Sequence, residues 1–205
     1  MKKPTRQRLI EAARELFLSK GYEASSVADV LARAEVNSGS LYYFFKTKEQ
    51  LLLAVLDEYV DLLEPMVLRP AFERVSDPLD RVFAVLAGYR QMLVMSDCRL
   101  GCPIGNLALE MSEKSEAVRE KIALNFRNWR KAIRQCLVDA RDRLPPNLDR
   151  HKLAAFILTV MEGGVMQARV HRSLEPFDAS VATLKDYMDR LVEQGTTRPI
   201  QQANS

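Results

Sequence analysis

Residues 37–51 read Asn-Ser-Gly-Ser-Leu-Tyr-Tyr-Phe-Phe-Lys-Thr-Lys-Glu-Gln-Leu, small polar side chains followed by aromatic hydroxyls and two lysines. Ser38, Gly39 and Ser40 are small enough to let a backbone approach base edges, and the two hydroxyls can bond to bases or phosphates. Tyr42 and Tyr43 can turn their phenols to phosphate oxygens. Lys46 and Lys48 stand at the start of the next helix, whose open N–H groups and positive dipole end also attract phosphate. Ser25 and Ser26, just ahead of the preceding short helix, are assigned to the same surface. Leu41 and Phe45, four apart, are expected to anchor this segment on Leu16, Phe17 and Leu31, with Phe44 also mostly in the core. The partner that suits such a surface is double-stranded DNA.

Charge agrees with that partner. The chain carries a net charge of +3 over 205 residues. Residues 1–50 hold nine Lys/Arg against six Asp/Glu, so the whole excess lies in the quarter that contains this segment. Other chemistry is poorly supplied. The three cysteines, Cys98, Cys102 and Cys136, are an odd number that suits a reducing cytoplasm better than a disulfide framework. Cys98 and Cys102 are four apart with no histidine in their loop, so no metal site is expected. The two histidines, His151 and His171, lie far apart on one expected helix. No nucleophile–base order, paired-carboxylate spacing or phosphate-cradling loop stands out, so neither catalysis nor a cofactor is expected. No run of about eighteen uninterrupted apolar residues suggests a membrane span. The N-terminal Met-Lys-Lys-Pro-Thr-Arg leads into an amphipathic pattern, unlike a signal peptide.

The elements that must position these residues are helical, and the fold class is all-α. Leu9, Ala12, Ala13, Leu16 and Phe17 form a buried stripe, stopped by Gly21. Ser26 and Asp29 make a capping box that opens a short helix with Val27, Val30, Leu31 and Ala34 apolar. Glu35 and Val36 form a turn, and Asn37 caps the next short helix. Thr47 and Gln50 make a second box, opening a helix that runs to about Leu63, before Pro65. Residues 1–48 thus read as a three-helix unit with helix-turn-helix geometry, in which the second short helix enters the major groove. The helix 48–63 links it to a larger helical domain over 49–195. There, Asp77-Pro78 opens a helix to about Met95. Residues 96–106 are a Gly/Pro-broken connection into a short helix ending near Ser112, and Ser115 caps a long helix ended by Pro145-Pro146. Two more are expected at 149–171 and 178–194, followed by a disordered tail, 196–205.

The stretch from Ala13 to Leu56 resembles the N-terminal domain of the TetR family of bacterial transcriptional regulators. The resemblance covers about residues 6–56 and rests on Phe17, Gly21-Tyr22, Ser26-Val27, Val36, Gly39-Ser40-Leu41-Tyr42, Phe45 and Lys48-Glu49. It implies a homodimeric all-α repressor with a C-terminal ligand-binding and dimerisation domain. Two positions depart from the family's habit. Glu35 stands where Gly is usual, and a left-handed residue there would cost about 1–2 kcal/mol, which leaves open how the turn is built. Phe44 replaces the Tyr or His that reaches a phosphate.

In that family the helices after the fourth enclose an apolar pocket, and the last two form a bundle with the partner's pair. Candidate ligand residues here are Tyr89, Met92, Cys102, Asn106, Trp129, Ile133, Met161 and Met166, the methionines as a deformable lining. Charges near helix ends, such as Glu110, Arg130 and Arg169, are ordinarily solvated. Gly163 and Gly164 fall in mid-helix, where each costs about 1 kcal/mol relative to Ala. With Leu184, Met188 and Leu191 they are the expected dimer seam. The resulting reading is a cytoplasmic repressor, released from a palindromic operator by a small-molecule inducer. A second reading rests on the Gly-Cys-x-x-Gly-Asn-Leu run at 101–107, which resembles a branch of the family containing electrophile-responsive regulators. That branch maps a sensing thiol onto Cys102, so the scaffold would act as an electrophile or redox sensor. A third, a cysteine-dependent enzyme with an accidental helix-turn-helix, would have to show turnover rather than stoichiometric modification.

Overall fold

The computed structural model describes residues 3–196. In chain order these form α1 (Thr5–Lys20), α2 (Val27–Ala34), α3 (Ser38–Phe44), α4 (Lys48–Leu62), a π-helical turn (Leu63–Leu68), α5 (Arg69–Arg74), α6 (Pro78–Met95), α7 (Pro103–Met111), α8 (Glu116–Asp139), a 3-10 turn (Arg141–Arg143), α9 (Arg150–His171) and α10 (Glu175–Thr196). No strand occurs among the described residues. Apart from Thr196, which ends α10, the expected tail lies outside them, as does Lys2. The chain divides into two compact units, and not at residue 48. Among the described residues, one unit runs to Glu64 and includes Leu100–Asn128; the other comprises Pro65–Arg99 and 129–196.

In the first unit, α1 buries Leu9, Ile10, Ala12, Ala13 and Phe17, the expected stripe, while Leu16 is half-buried. Gly21 ends the helix at φ +91° and donates its N–H to the Phe17 carbonyl at 3.1 Å. The capping box of α2 is complete. Ser26 Oγ accepts the Asp29 N–H at 3.0 Å, and the Asp29 carboxylate accepts the Ser26 N–H at 2.9 Å. That second bond holds the Asp29 carboxyl below the usual carboxylate range. Glu35 is left-handed (φ 51°, ψ 49°), so the turn has the shape for which Gly is better suited. Arg8 on α1 offsets the strain by donating to the carbonyls of Ala34 and Glu35, the latter at 3.0 Å. The box at Thr47 is displaced by one residue. Thr47 accepts the Gln50 N–H at 3.1 Å, but the Gln50 side chain accepts from the Lys46 N–H at 2.8 Å. Helix α4 buries Leu51, Leu52, Ala54, Val55 and Leu56. Buried Asn125 on α8 donates to the Leu56 carbonyl at 3.2 Å.

In the second unit the chain continues past Pro65, which lacks an N–H for the α-helical ladder, as a π-helical turn and the short α5. Asp77 caps α6 by accepting the Leu79 and Asp80 N–H groups at 2.9 and 3.1 Å, with Pro78 at the first helical position. Asp149 caps α9 through two 3.0 Å bonds from the N–H groups of His151 and Lys152. Helix α10 starts at Glu175, three residues before the expected 178, because Ser173 Oγ accepts the Glu175 N–H at 3.2 Å. Helix α9 is long and apolar enough to cross a membrane by length and hydropathy alone. Its Leu153, Ala154, Ile157, Met161, Gly164, Val165 and Ala168 are buried in the unit's own core, which accounts for that composition.

The expected dimer seam is corrected by this packing. Leu184, Met188 and Leu191 are each 7 % exposed or less within one chain, against the α9 face. A Cβ on Gly164 would sit 3.0 Å from the Phe177 ring and 3.3 Å from its Cα, so Gly164 permits close approach of α9 and α10. Gly163 alone of the five looks onto open space. The apolar stripe of an amphipathic helix faces whichever core is nearest, and here that core is intramolecular.

Candidate nucleic-acid interface

Helix α3 presents the surface that its sequence promised. Asn37 accepts the Ser40 N–H at 2.9 Å and the Ser40 hydroxyl at 3.0 Å, fixing the first turn. Ser38 and Gly39 are exposed, and a Cβ on Gly39 would meet only its neighbour Asn37, at 3.5 Å. Leu41 and Phe45 are buried and hold the opposite face. Tyr42 is 49 % and Tyr43 77 % exposed, so both phenols are available to a partner. Ser26 is exposed at the start of α2.

Two expectations fail here. Ser25 is fully buried, and its hydroxyl donates to the Gly21 carbonyl at 2.7 Å, so it stabilises the α1–α2 turn. Phe44 is not core. It is 39 % exposed, with its ring centroid 4.9 Å from that of Tyr43 in an edge-on contact. Neither lysine extends freely. Lys46 Nζ donates to the Tyr42 carbonyl at 2.9 Å, capping the C-terminal end of α3. Lys48 Nζ donates to the Tyr22 carbonyl and lies 4.0 Å from the Tyr22 ring centroid, a cation–π contact. Burial there pushes the Lys48 ammonium below its ordinary pKa, against the raising influence of Glu23 and Glu110. A phosphate would have to draw each lysine from a carbonyl. Sequence reasoning did not place Tyr22 beside Lys48, because the pair is separated by a full helix-turn-helix.

The ligand candidates fare differently. Tyr89, Cys102, Trp129, Ile133 and Met161 are buried, Asn106 is half-buried, and Met92 and Met166 are exposed. The second unit has an open groove of about 770 Å³ beside α9 and α10, lined by residues such as Leu153, Phe156, Val160, Thr183 and Tyr187. A second cleft, of about 680 Å³, lies beside Cys98 and Arg172. Neither is lined by any of the eight candidates. Trp129 is singled out by another feature, since its buried indole Nε1–H has no hydrogen-bond partner. Cys102 occupies the N-cap of α7 and is 6 % exposed. The guanidinium of Arg99, three residues before Cys102, lies 3.5 Å from the Asp97 carboxylate. Burial pushes the Cys136 thiol up to about 11, which keeps it protonated.

Comparison with known proteins agrees with this surface. Residues 9–55 match the model of the bacterial regulatory proteins of the tetR family. Residues 78–183 match that of the LmrA/YxaF-like transcriptional regulator C-terminal domain. The chain is similar to the HTH-type transcriptional repressor DhaR of Mycobacterium sp. (strain GP1), at 30 % identity over 85 % of this chain and 87 % of that protein. Among solved structures, the regulatory protein TetR from Rhodobacter sphaeroides superposes with a TM-score of 0.79 at 26 % identity, covering 88 % of this chain and 96 % of its own. The reduced form of NemR from E. coli gives 0.78, also at 26 % identity, covering 89 % and 96 %. With an exposed, serine- and tyrosine-bearing second helix in its helix-turn-helix and both halves matched, the chain belongs to the TetR family of bacterial transcriptional regulators.

Proposed function

We propose that the protein is a cytoplasmic, homodimeric repressor that reads a palindromic operator and leaves it when a small molecule binds its C-terminal helices. The observation that carries the DNA part is α3 itself: its small residues and tyrosines are exposed while Leu41 and Phe45 fix it from behind. A dimer would set two such helices in successive major grooves. The surface suited to dimerisation is the outer face of α9 and α10. Phe156, Met166 and Val170 are 48 %, 54 % and 74 % exposed there, Tyr187 packs edge-on against Phe156, and Gly163 opens room for a neighbouring backbone. For the inducer, the unpartnered Trp129 N–H supports a molecule that carries a hydrogen-bond acceptor. The inducer would favour a conformer with wrongly spaced recognition helices.

Selection of duplexes from a random-sequence library tests the reading. A palindromic site bound far more tightly than a scrambled one is the expected result, and indiscriminate binding would refute it. Native mass spectrometry of the purified dimer tests the inducer part by searching for a co-purified small molecule.

A second reading keeps the same scaffold with Cys102 as a thiol sensor. It is compatible with the likeness to NemR, whose structure was solved in a reduced form, and draws on the position of Cys102 at the start of α7. An adduct on so buried a thiol could be accommodated only by moving that helix. Release from DNA by a maleimide that persists in Cys102→Ser would exclude this route.

A further inference from the structure

The turn that joins α1 to α2 is gripped from far away in sequence. Its first residue, Gly21, has no space for a side chain on one side, because a Cβ would lie 2.8 Å from Oε1 of Glu110 on α7. The other oxygen of that carboxylate accepts the Glu23 N–H at 3.1 Å. Lys114, just beyond α7, donates to the Glu23 carboxylate at 2.7 Å, and this bond holds the Glu23 carboxyl below its usual pKa. Lys48 completes the grip by donating to the Tyr22 carbonyl. Tyr22 and Glu23 are therefore held by three side chains, Lys48, Glu110 and Lys114, and Gly21 packs beneath the second of them.

The turn matters because of what it feeds. Ser25 and Ser26 follow at once, the first buried against the Gly21 carbonyl and the second capping α2. Helix α2 is fixed at its C-terminal end by Arg8, which belongs to the adjacent α1. Its N-terminal end depends on the turn, and so on residues 87 and 91 positions away in the chain. We infer that Glu110 and Lys114 are positioning residues for operator recognition: through the Gly21–Glu23 turn they set the angle at which α2 carries α3. They touch no DNA. Helix α7 is then a strut with Cys102 at its first end and this grip at its other, so displacement of α7 would be felt at the helix-turn-helix. A glycine at 21 serves two needs, the positive φ and the space that Glu110 fills.

The inference rests on the DNA-binding reading, and the experiment separates the two. The full-length protein is first used to select a duplex from a random library; failure to obtain one would sink the DNA reading itself. Glu110→Ala is then compared with wild type on that duplex and on a scrambled one. The expected result is about a tenfold loss on the selected duplex, equivalent to about 1.4 kcal/mol, with affinity for the scrambled duplex within twofold of wild type. Glu110→Gln keeps an oxygen for the Glu23 N–H and should restore affinity to within about threefold of wild type. Lys114→Met, at an exposed pair, should lose about threefold and covers the case in which Glu110→Ala does not fold. Hydrogen exchange at the Glu23 amide should quicken in Glu110→Ala and not in Glu110→Gln. Unchanged specific affinity in the folded variants, or an equal loss on both duplexes, would overturn the assignment.

Discussion

Helices α3 and α9 both leave aromatic side chains in solvent, yet the two exposures differ in kind. On α3 the exposed rings are Tyr42, Tyr43 and Phe44, following two serines and a glycine and followed by two lysines. On α9 the exposed apolar side chains are Phe156, Met166 and Val170, with Tyr187 on α10 against Phe156 and open space at Gly163. Hydroxyls with cations suit a polyanion, which must be met by hydrogen bonds and charge. Aliphatic and aromatic surface with few polar atoms suits a protein face, which is met by exclusion of water. Exposure alone therefore does not assign a surface; its polar content does.

The sharpest way to break that contrast is to replace one residue of the buried α9–α10 face. Leu184→Glu would place a carboxylate in the intramolecular core, costing roughly 3–5 kcal/mol. Loss of the cooperative thermal transition is expected. A folded monomer would return Leu184 to the dimer seam. Gly39→Leu should come next, lowering affinity for a selected operator by about a hundredfold or more, about 2.7 kcal/mol, while the melting temperature hardly moves. A marked loss of thermal stability would show that Gly39 serves packing.

Phe156→Glu on the outer α9 face should weaken the dimer by about 2 kcal/mol or more without unfolding the chain, a magnitude ordinary for a buried aromatic anchor. Analytical ultracentrifugation reads this directly, and an unaltered dimer at micromolar concentration would move the seam elsewhere. Lys2, Lys3, Arg6, Lys46 and Lys48 give ten cations in a dimer, and if about five of them meet phosphates, the slope of log affinity against log salt should be about −4 to −5. Lys46→Ala should make that slope shallower and weaken binding to all sequences alike; a change in preferred sequence would contradict its role. The smallest effect concerns acid. The Glu23 carboxyl is held below its ordinary 4.5 by the Lys114 hydrogen bond, so this contribution is present above that pH and fades as pH falls through the lowered pKa. The specific affinity of wild type should then decline more on acidification below pH 4.5 than that of Lys114→Met. Parallel decline would remove the pair from the account.

Much of this was legible in the chain. The caps at Ser26, Asn37 and Asp77 form as their spacing requires, because a capping bond spans only two or three residues. The stripe on α1 and the anchors Leu41 and Phe45 lie where helical periodicity puts them. Burial of Ser25, exposure of Phe44 and the inward turn of Lys48 were not legible, since each depends on what stands opposite the residue. The same holds for the seam. Periodicity shows that Leu184, Met188 and Leu191 share a face, and only packing shows that α9 of the same chain already covers it.

The sequence by itself determined the helices, their starts and the chemistry of the surface on α3, because these arise from bonds and side-chain spacings within a turn or two of helix. Tertiary structure alone decided which apolar faces remain open, where the two units divide and that Glu110 and Lys114 hold the Gly21–Glu23 turn. Those outcomes join residues many tens of positions apart, and a contact at that separation leaves no periodic trace in either segment.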